Sequence, residues 1–98
     1  MNINNKILAL LLINKGGIFA NSHQLTKILE WKFKIMDSLE IYNSIRNEQL
    51  VTFKIEDNTT YSYELTQSGK EIMEFNKGKV IELFKRKFPN ELSILDNL

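Results

Sequence analysis

The stretch from Leu50 to Met73, LVTFKIEDNTTYSYELTQSGKEIM, predicts two short strands joined by a tight turn and followed directly by a helix. Apolar and polar residues alternate before the turn, which is typical of a half-buried strand, and the apolar positions are Val51, Phe53 and Ile55. The turn is Asp57-Asn58-Thr59, and the apolar positions of the returning strand are Tyr61, Tyr63 and Leu65. Thr66 can cap a last long helix, which we expect to run from about Gln67 to Lys87.

Three helices are predicted ahead of this stretch. Asn4 or Asn5 can cap the first, a helix of about ten residues whose inward stripe is Ile7, Leu8, Leu11 and Leu12. Gly16-Gly17 ends it, because glycine adopts the left-handed conformation at little cost. The segment Ile18-Phe19 is expected to be extended and is a candidate third strand beside the hairpin.

The second and third helices are joined by an aromatic connector. Asn21 can cap the second helix, and Gln24 stands where a capping-box partner would reach back. This helix runs to about Glu30, and its inward residues are Leu25, Ile28 and Leu29. After the connector Trp31-Lys32-Phe33-Lys34, a third helix is expected from about Lys34 to Asn47. Its predicted buried face is Ile35, Leu39, Tyr42 and Ile45.

The last long helix is predicted to have an apolar side, made by Ile72, Phe75, Val80, Ile81, Phe84 and Phe88. Gly78 weakens its middle, and Pro89 ends it. Its basic residues fit an electrostatic flank for nucleic acid, but lysines that complement the helix dipole explain them better. The residues from Glu91 to Leu98 either add a short helix or fray.

The composition is that of one globular domain. Of the 98 residues, 43% are hydrophobic and 26% are charged, which argues against a disordered chain. The absence of cysteine excludes disulfides and thiolate metal sites and suits a reducing compartment. The apolar run from Ile7 to Ile13 is too short to span a bilayer and lacks the features of a signal peptide. We therefore interpret it as a core helix and expect a cytoplasmic protein without a membrane segment.

The predicted fold class is α+β and mostly helical, in the order helix, helix, helix, strand, strand, helix. From Leu25 to Met73 the chain resembles the winged helix-turn-helix domains of small bacterial MarR-type and PadR-type transcriptional regulators. The residues that carry the resemblance are Ile45 to Val51 (IRNEQLV) and the pattern Tyr63, Leu65, Thr66 and Gly69. It implies a single domain over residues 1–98, with a winged core at 3–66, a C-terminal helix at 67–88 and a short tail at 89–98.

The resemblance implies a sequence-specific DNA-binding regulator whose third helix enters the major groove and whose hairpin tip lies near the DNA backbone. The candidate contacts to double-stranded DNA are Lys32, Lys34, Ser38, Asn43, Ser44, Lys54, Thr59 and Thr60. Lys32 and Lys34 would meet phosphates. Ser38 and Asn43 would bond base edges. Ile41 is expected on the same exposed face.

The charge pattern supports an alternative. The net charge is only +1, whereas nucleic-acid binders are usually more basic. Asp37 and Glu40 place carboxylates on the third helix, and Glu56 and Asp57 place two more at the hairpin tip. The second hypothesis is therefore a winged-helix module that binds another protein and not DNA.

The apolar surface of the last helix favours a homodimer, with the candidate interface Phe75, Val80, Phe84 and Phe88. A two-fold dimer would also match a palindromic operator. The other possibility is that these phenylalanines pack on the first helix within one chain.

No constellation of residues predicts an enzyme. One histidine, His23, and no cysteine cannot build the usual zinc site, and a solvated surface position is the expected role of His23. Trp31 and Phe33 could border a ligand pocket of a ligand-responsive regulator, although core packing is the commoner role. We predict no metal, no cofactor and no catalytic residue.

Overall fold

The computed structural model describes residues 2–98, and the fold is α+β and mostly helical, as the sequence predicts. Its helices and strands are α1 (Ile3–Lys15), α2 (Ser22–Lys27), α3 (Ser38–Asn47), β1 (Val51–Ile55), β2 (Tyr61–Leu65), α4 (Gln67–Lys87) and α5 (Leu92–Leu95). The two strands form an antiparallel hairpin, in register from the Val51–Leu65 pair to the Ile55–Tyr61 pair. Short 3-10 segments span Gly17–Ala20 and Pro89–Glu91, and a π-helical turn spans Ile28–Lys32.

Helix α1 is enclosed by the rest of the chain. Every residue from Lys6 to Ile13 is buried, so the helix is covered on all sides and not only along a stripe of four residues. The helix also begins earlier than predicted. The Asn2 side chain accepts a hydrogen bond from the Asn4 backbone N–H at 2.8 Å, so the prediction of Asn4 or Asn5 as the cap is wrong.

The single cation of that buried run is Lys6, and it pairs with Glu48, directly after α3. The Lys6 Nζ lies 2.7 Å from one carboxylate oxygen of Glu48 and 3.0 Å from the other. These bonds from Lys6, followed by one from the Ser44 hydroxyl, hold the pKa of Glu48 below its usual range. The ion pair therefore connects α1 to the end of α3.

The segment between α1 and α2 turns on two glycines with positive φ, 84° at Gly16 and 61° at Gly17. The prediction of Ile18-Phe19 as a third strand is wrong, because the chain coils into a 3-10 turn there. The nearest approach to a third strand is a single bridge between Asn21 and Ser62. Asn21 does cap α2, as predicted, since its side chain accepts from the two backbone N–H groups of His23 and Gln24.

Helix α3 begins four residues later than predicted. Lys34 has a φ of 57°, a left-handed conformation that cannot open a right-handed helix, and Asp37 becomes the cap residue. Ile35 is buried, as predicted, but in the connector. The buried side of the helix is Ser38, Ile41 and Ile45. The prediction was therefore wrong for Leu39, which is 70% exposed, and for Ile41, which is fully buried.

The hairpin is buried only at its base. Val51, Tyr63 and Leu65 are in the core, whereas Phe53 is 43% exposed and Ile55 is 64% exposed. The predicted half-buried face of β1 is therefore wrong beyond Val51. No described segment covers the outer half of this two-stranded sheet, which leaves its apolar side chains in contact with solvent.

The junction between the hairpin and α4 explains the Leu-Thr-x-x-Gly pattern. The Thr66 hydroxyl accepts from the Gly69 backbone N–H at 3.1 Å and donates to the Gln49 carbonyl at 2.6 Å. The Thr66 backbone N–H donates to the Leu50 carbonyl at 3.0 Å. A β-carbon on Gly69 would lie 2.1 Å from that same Leu50 oxygen, so only glycine fits. Helix α4 is thereby fixed against the start of β1.

The C-terminal part of the chain returns to the core. Phe33 contacts the rings of Phe84 and Phe88 edge-on at 5.8 and 5.6 Å between centroids. The last residues form the short helix α5, and its Leu95 is buried, so the tail adds a helix rather than fraying. Among residues 2–98, no helix combines the length and the apolarity needed to cross a membrane.

Candidate nucleic-acid interface

The outward face of α3 is the surface predicted to enter the major groove. With Ile41 and Ile45 directed into the core, the exposed residues of this helix are Leu39, Glu40, Asn43, Arg46 and Asn47. Asn43, one of the predicted contacts, lies at the centre of this face, with Leu39 one turn before it and Asn47 one turn after it. The face thus combines an arginine, two amides, one carboxylate and one apolar side chain.

A groove of about 310 Å³ runs between this face, the start of α2 and the hairpin. Its lining is polar and aromatic: Ser22, His23, Thr26, Leu39, Tyr42, Asn43, Arg46, Thr59, Tyr61 and Tyr63. His23 is exposed at its rim, as predicted for a surface histidine. The hairpin also connects to α2 here, because the Ser22 hydroxyl accepts from the Tyr61 backbone N–H at 3.0 Å.

The floor of the groove is held by Tyr42. Its hydroxyl lies 2.6 Å from the Thr26 hydroxyl, and its ring stacks on that of Tyr63 at 5.9 Å between centroids. Burial raises the pKa of Tyr42 to about 12, so this hydroxyl stays protonated at neutral pH. The position of α3 against α2 and β2 is thus fixed beneath the exposed face.

Arg46 is the best placed cation, and the sequence prediction did not include it. Its guanidinium lies over the Phe53 ring, 4.8 Å from the centroid, and Phe53 in turn meets Tyr61 edge-on at 4.8 Å. Arg46 therefore stands between α3 and the hairpin with its position supported by an aromatic pair. The available signal was its spacing of three residues from Asn43, which puts both on one helix face.

The two lysines before α3 are exposed but engaged. Lys34 donates to the Trp31 carbonyl at 2.9 Å, and Lys32 lies 3.9 Å from a Glu91 carboxylate oxygen. Because both lie in the connector and not on the helix, they flank α3 at its start. Both residues are exposed, so each remains accessible to an approaching phosphate.

The two serines of the prediction are occupied within the chain. Ser38 is buried and donates to a Glu30 carboxylate oxygen at 2.9 Å, so the prediction that it bonds a base edge is wrong. Ser44 is half-buried and donates to Glu48. The correction for Ser38 follows from the buried side of α3, which is Ser38, Ile41 and Ile45 and not the predicted Ile35, Leu39 and Tyr42. Ser44 is engaged by Glu48, four residues later in the chain.

The hairpin tip carries a negative charge. Asp57 accepts from the backbone N–H groups of Thr59 and Thr60, both at 2.8 Å, and from the Thr59 hydroxyl at 3.2 Å. The Thr59 and Thr60 backbone bonds are the main cause that lowers the pKa of Asp57. These backbone donors are therefore already used. Lys54 is exposed on β1 and is the only basic residue of the hairpin.

Two of the four predicted dimer residues, Val80 and Phe84, are in the core, so their assignment to an interface is wrong. Phe88 is half-buried against Phe33 and Phe84, and its assignment stays a prediction. Phe75 is 91% exposed. The apolar residues of a single helix could not be divided between core and surface without knowing which side α1 covers.

Trp31 and Phe33 do not border a common pocket, because Trp31 is exposed whereas Phe33 is in the core. Trp31 instead borders a groove of about 420 Å³ together with Ile18, Phe19 and Ile28. Nowhere in residues 2–98 do three or more histidine, cysteine or carboxylate side chains come together to hold a metal ion.

The chain matches no protein-family model, no curated protein and no solved structure.

Proposed function

We propose that this chain is a winged helix-turn-helix transcriptional regulator of the cytoplasm that binds double-stranded DNA through α3, as its resemblance to MarR-type and PadR-type proteins implies. The observation that carries the proposal is the exposed set Asn43, Arg46 and Asn47 on one face of α3, beside a projecting hairpin. An exposed helix face of amide and guanidinium groups is the chemistry by which proteins recognise bases in the major groove. No cofactor and no catalysis are part of this function.

Each residue of the face has a specific role in this proposal. Asn43 and Asn47 can bond the N6 and N7 atoms of adenine, and Arg46 can bond O6 and N7 of guanine. Leu39 can contact a thymine methyl group. Arg46 is the strongest of these groups, because its stacking on Phe53 holds the guanidinium in place before binding.

Few cations surround this face, so the affinity should depend moderately on salt. Lys32, Lys34 and Lys54 are the exposed basic residues that flank α3 and the hairpin. With about three phosphate contacts, the slope of log K against log salt concentration should be about −3. The carboxylates of Glu40 and Asp57 would reduce the affinity further.

The test is a titration of fluorescent duplex DNA from a random-sequence library, at several salt concentrations. Wild-type protein should bind with the salt slope given above, and selected sequences should share a common motif. Arg46→Ala should weaken binding to a selected site by about tenfold, within the 1–3 kcal/mol typical of a good base contact.

The matched control is Arg86→Ala, because Arg86 is also exposed but lies near the end of α4. It should leave the affinity within about twofold, since it lies outside the proposed contact surface. Equal losses for both variants would contradict the assignment of α3. No binding by the wild type at low salt would contradict DNA binding altogether.

A second candidate function has its own observation. Met36 and Leu39 are 71% and 70% exposed at the start of α3, and Asp37 and Glu40 stand beside them. Exposed apolar side chains rimmed by charges are typical of protein contacts. If the wild type has no affinity for duplex DNA, we propose that the same face binds another protein.

A further inference from the structure

Strand β1 has one edge without a hydrogen-bonded neighbour. Within residues 2–98 the sheet consists of β1 and β2, and β2 lies along one side of β1. The far side of β2 is partly covered, because the Ser22 hydroxyl accepts from the Tyr61 backbone N–H. Asn21 adds a bridge to Ser62 on that side. The far side of β1 has no strand, bridge or backbone hydrogen bond among the described residues, and we call it the open edge.

The register shows which backbone groups face the open edge. In an antiparallel pair, residues that bond across the hairpin alternate with residues that do not. The Leu50 carbonyl accepts across the hairpin at 3.0 Å, and the Glu56 N–H donates across it at 2.9 Å. The even-numbered residues of β1 therefore bond to β2. The N–H and C=O groups of Phe53 and Ile55 point the other way, toward the open edge.

The side chains at the open edge combine apolar surface with positive charge. Phe53 and Ile55 are 43% and 64% exposed on one face of the hairpin. Lys54 is exposed on the other face and has no ion-pair partner within residues 2–98. A row of unpaired backbone groups beside exposed apolar side chains is the surface to which an additional strand binds.

A groove of about 590 Å³ lies at the start of this edge. It is lined by Asn43, Arg46, Asn47, Val51, Thr52 and Phe53. Arg46 is the charged residue of this lining, and it too has no ion-pair partner within residues 2–98. Its stacking on Phe53 holds the guanidinium at the groove. A guanidinium beside two amides is suited to bind a carboxylate.

We propose that β1 binds an extended segment of another protein, which adds as an antiparallel strand along the open edge. Read from its own N-terminus, the segment is apolar, acidic, apolar, polar and acidic. Directly paired residues share a face of the sheet, so the two apolar residues cover Ile55 and Phe53. The first acidic residue lies beside Lys54, and the last enters the groove at Arg46. This contact requires neither DNA nor the apolar residues at the start of α3.

The charges favour another protein over a second copy of this chain. The two-fold pairing that uses the whole of β1 is centred on Phe53. There Lys54 would lie opposite Thr52, and Glu56 would lie opposite Leu50, so neither charge meets an opposite charge. An acidic segment from outside supplies the carboxylates that this edge lacks.

Fluorescence anisotropy of a labelled synthetic peptide tests the proposal in the absence of DNA. Its core is valine, glutamate, valine, threonine and glutamate, and a lysine precedes the first valine to face Glu56. The wild type should bind it in the micromolar range, since a five-residue strand makes a contact well below the standard interface size. A peptide of the same composition without the alternation should bind about tenfold more weakly, because its side chains no longer match the two faces.

Methylation of the peptide's own amides separates strand addition from unspecific attraction. The two valine amides face β1, so N-methylation of both should weaken binding by about tenfold or more through the lost hydrogen bonds. The intervening glutamate and threonine amides face solvent, and their N-methylation should change the affinity by less than about threefold. The protein is unchanged in both measurements. Equal effects of the two modified peptides would overturn the proposal.

Variants of the chain test the same contact from the other side. Ile55→Pro removes an N–H that faces the open edge and none that bonds β2, so it should weaken binding about tenfold. Urea unfolding checks that this variant is folded. Ile55→Val keeps the N–H and is the control, which should bind within about twofold of the wild type. Lys54→Glu should weaken binding about tenfold, whereas Lys79→Glu on α4 should leave it unchanged.

Three further outcomes would also overturn the proposal. The first is no binding of the alternating peptide by the wild type, and the second is equal binding of the peptide without alternation. The third is a wild type that dimerises in sedimentation velocity and loses the dimer on Ile55→Pro, since that result would assign the open edge to a second copy.

Discussion

Gly69 shows how a single residue determines where α4 begins. The Leu50 carbonyl accepts from Thr66 and stands 2.1 Å from the position of a β-carbon on Gly69. Gly69→Ala should therefore lower the free energy of unfolding by about 3 kcal/mol, since backbone must shift to remove the clash. Urea unfolding at low protein concentration measures this loss.

Gly78→Ala is the matched control for that substitution, because it adds the same methyl group to the same helix. Nothing lies within 4 Å of the added β-carbon, so the helix should gain about 0.5–1 kcal/mol from better helix propensity. A similar loss for both variants would show that the Leu50 contact is not the cause.

At the scale of single residues, the sequence predicted the roles of some side chains correctly and those of others wrongly. Thr66 and Gly69 were recognisable because a cap and a close backbone approach require particular residue types. Ser38 and Leu39 were assigned to the wrong sides, because both are compatible with either side of a helix. Arg46 could have been placed on the face of Asn43 from their spacing, but its support by Phe53 was not predictable, because Phe53 lies on a strand and no helical spacing connects the two.

At the scale of the elements, the boundaries of α3 decide the candidate site. Asn47 was predicted correctly as its end, whereas its start depends on the left-handed conformation of Lys34, a residue type that gives no sign of it. The side that faces solvent was a separate error, because the core covers Ser38 and Ile41 and leaves Leu39 exposed. The predicted face was therefore right for Asn43 and wrong for Ser38.

The Lys6–Glu48 pair is the polar link between two of these elements. Glu48→Gln should lower the free energy of unfolding by about 1–3 kcal/mol at neutral pH, because it leaves the buried ammonium of Lys6 without its charge partner. Chemical unfolding measures the loss. Glu40→Gln on α3 is the control and should have little effect, since Glu40 is exposed.

The same pair predicts a pH dependence. Because the folded-state pKa of Glu48 is lowered, its contribution is complete above the unfolded pKa and is lost as pH falls through the folded pKa. The stability of the wild type should therefore fall more steeply on acidification than that of Glu48→Gln. Parallel stability curves for the two proteins would contradict this.

For the whole molecule, the order of helices and strands was predictable because caps, glycines and alternating residues mark it locally. The enclosure of α1 was not predictable, since a helix buried along one stripe and a helix buried on all sides differ only in what covers them.

Burial decreases from α1, which is enclosed, to the hairpin tip, which is exposed. We expect hydrogen exchange to follow this order, slowest for residues 7–13 and fastest for residues 56–60. Equal rates in the two regions would contradict it.

The enclosure of α1 also has a consequence for synthesis. Helix α1 packs against α4, its partner much later in the chain. The apolar run of α1 therefore leaves the ribosome well before the helix that covers it has been translated. During that interval its apolar side chains are exposed to solvent. We expect chaperones that hold nascent apolar chains to bind them.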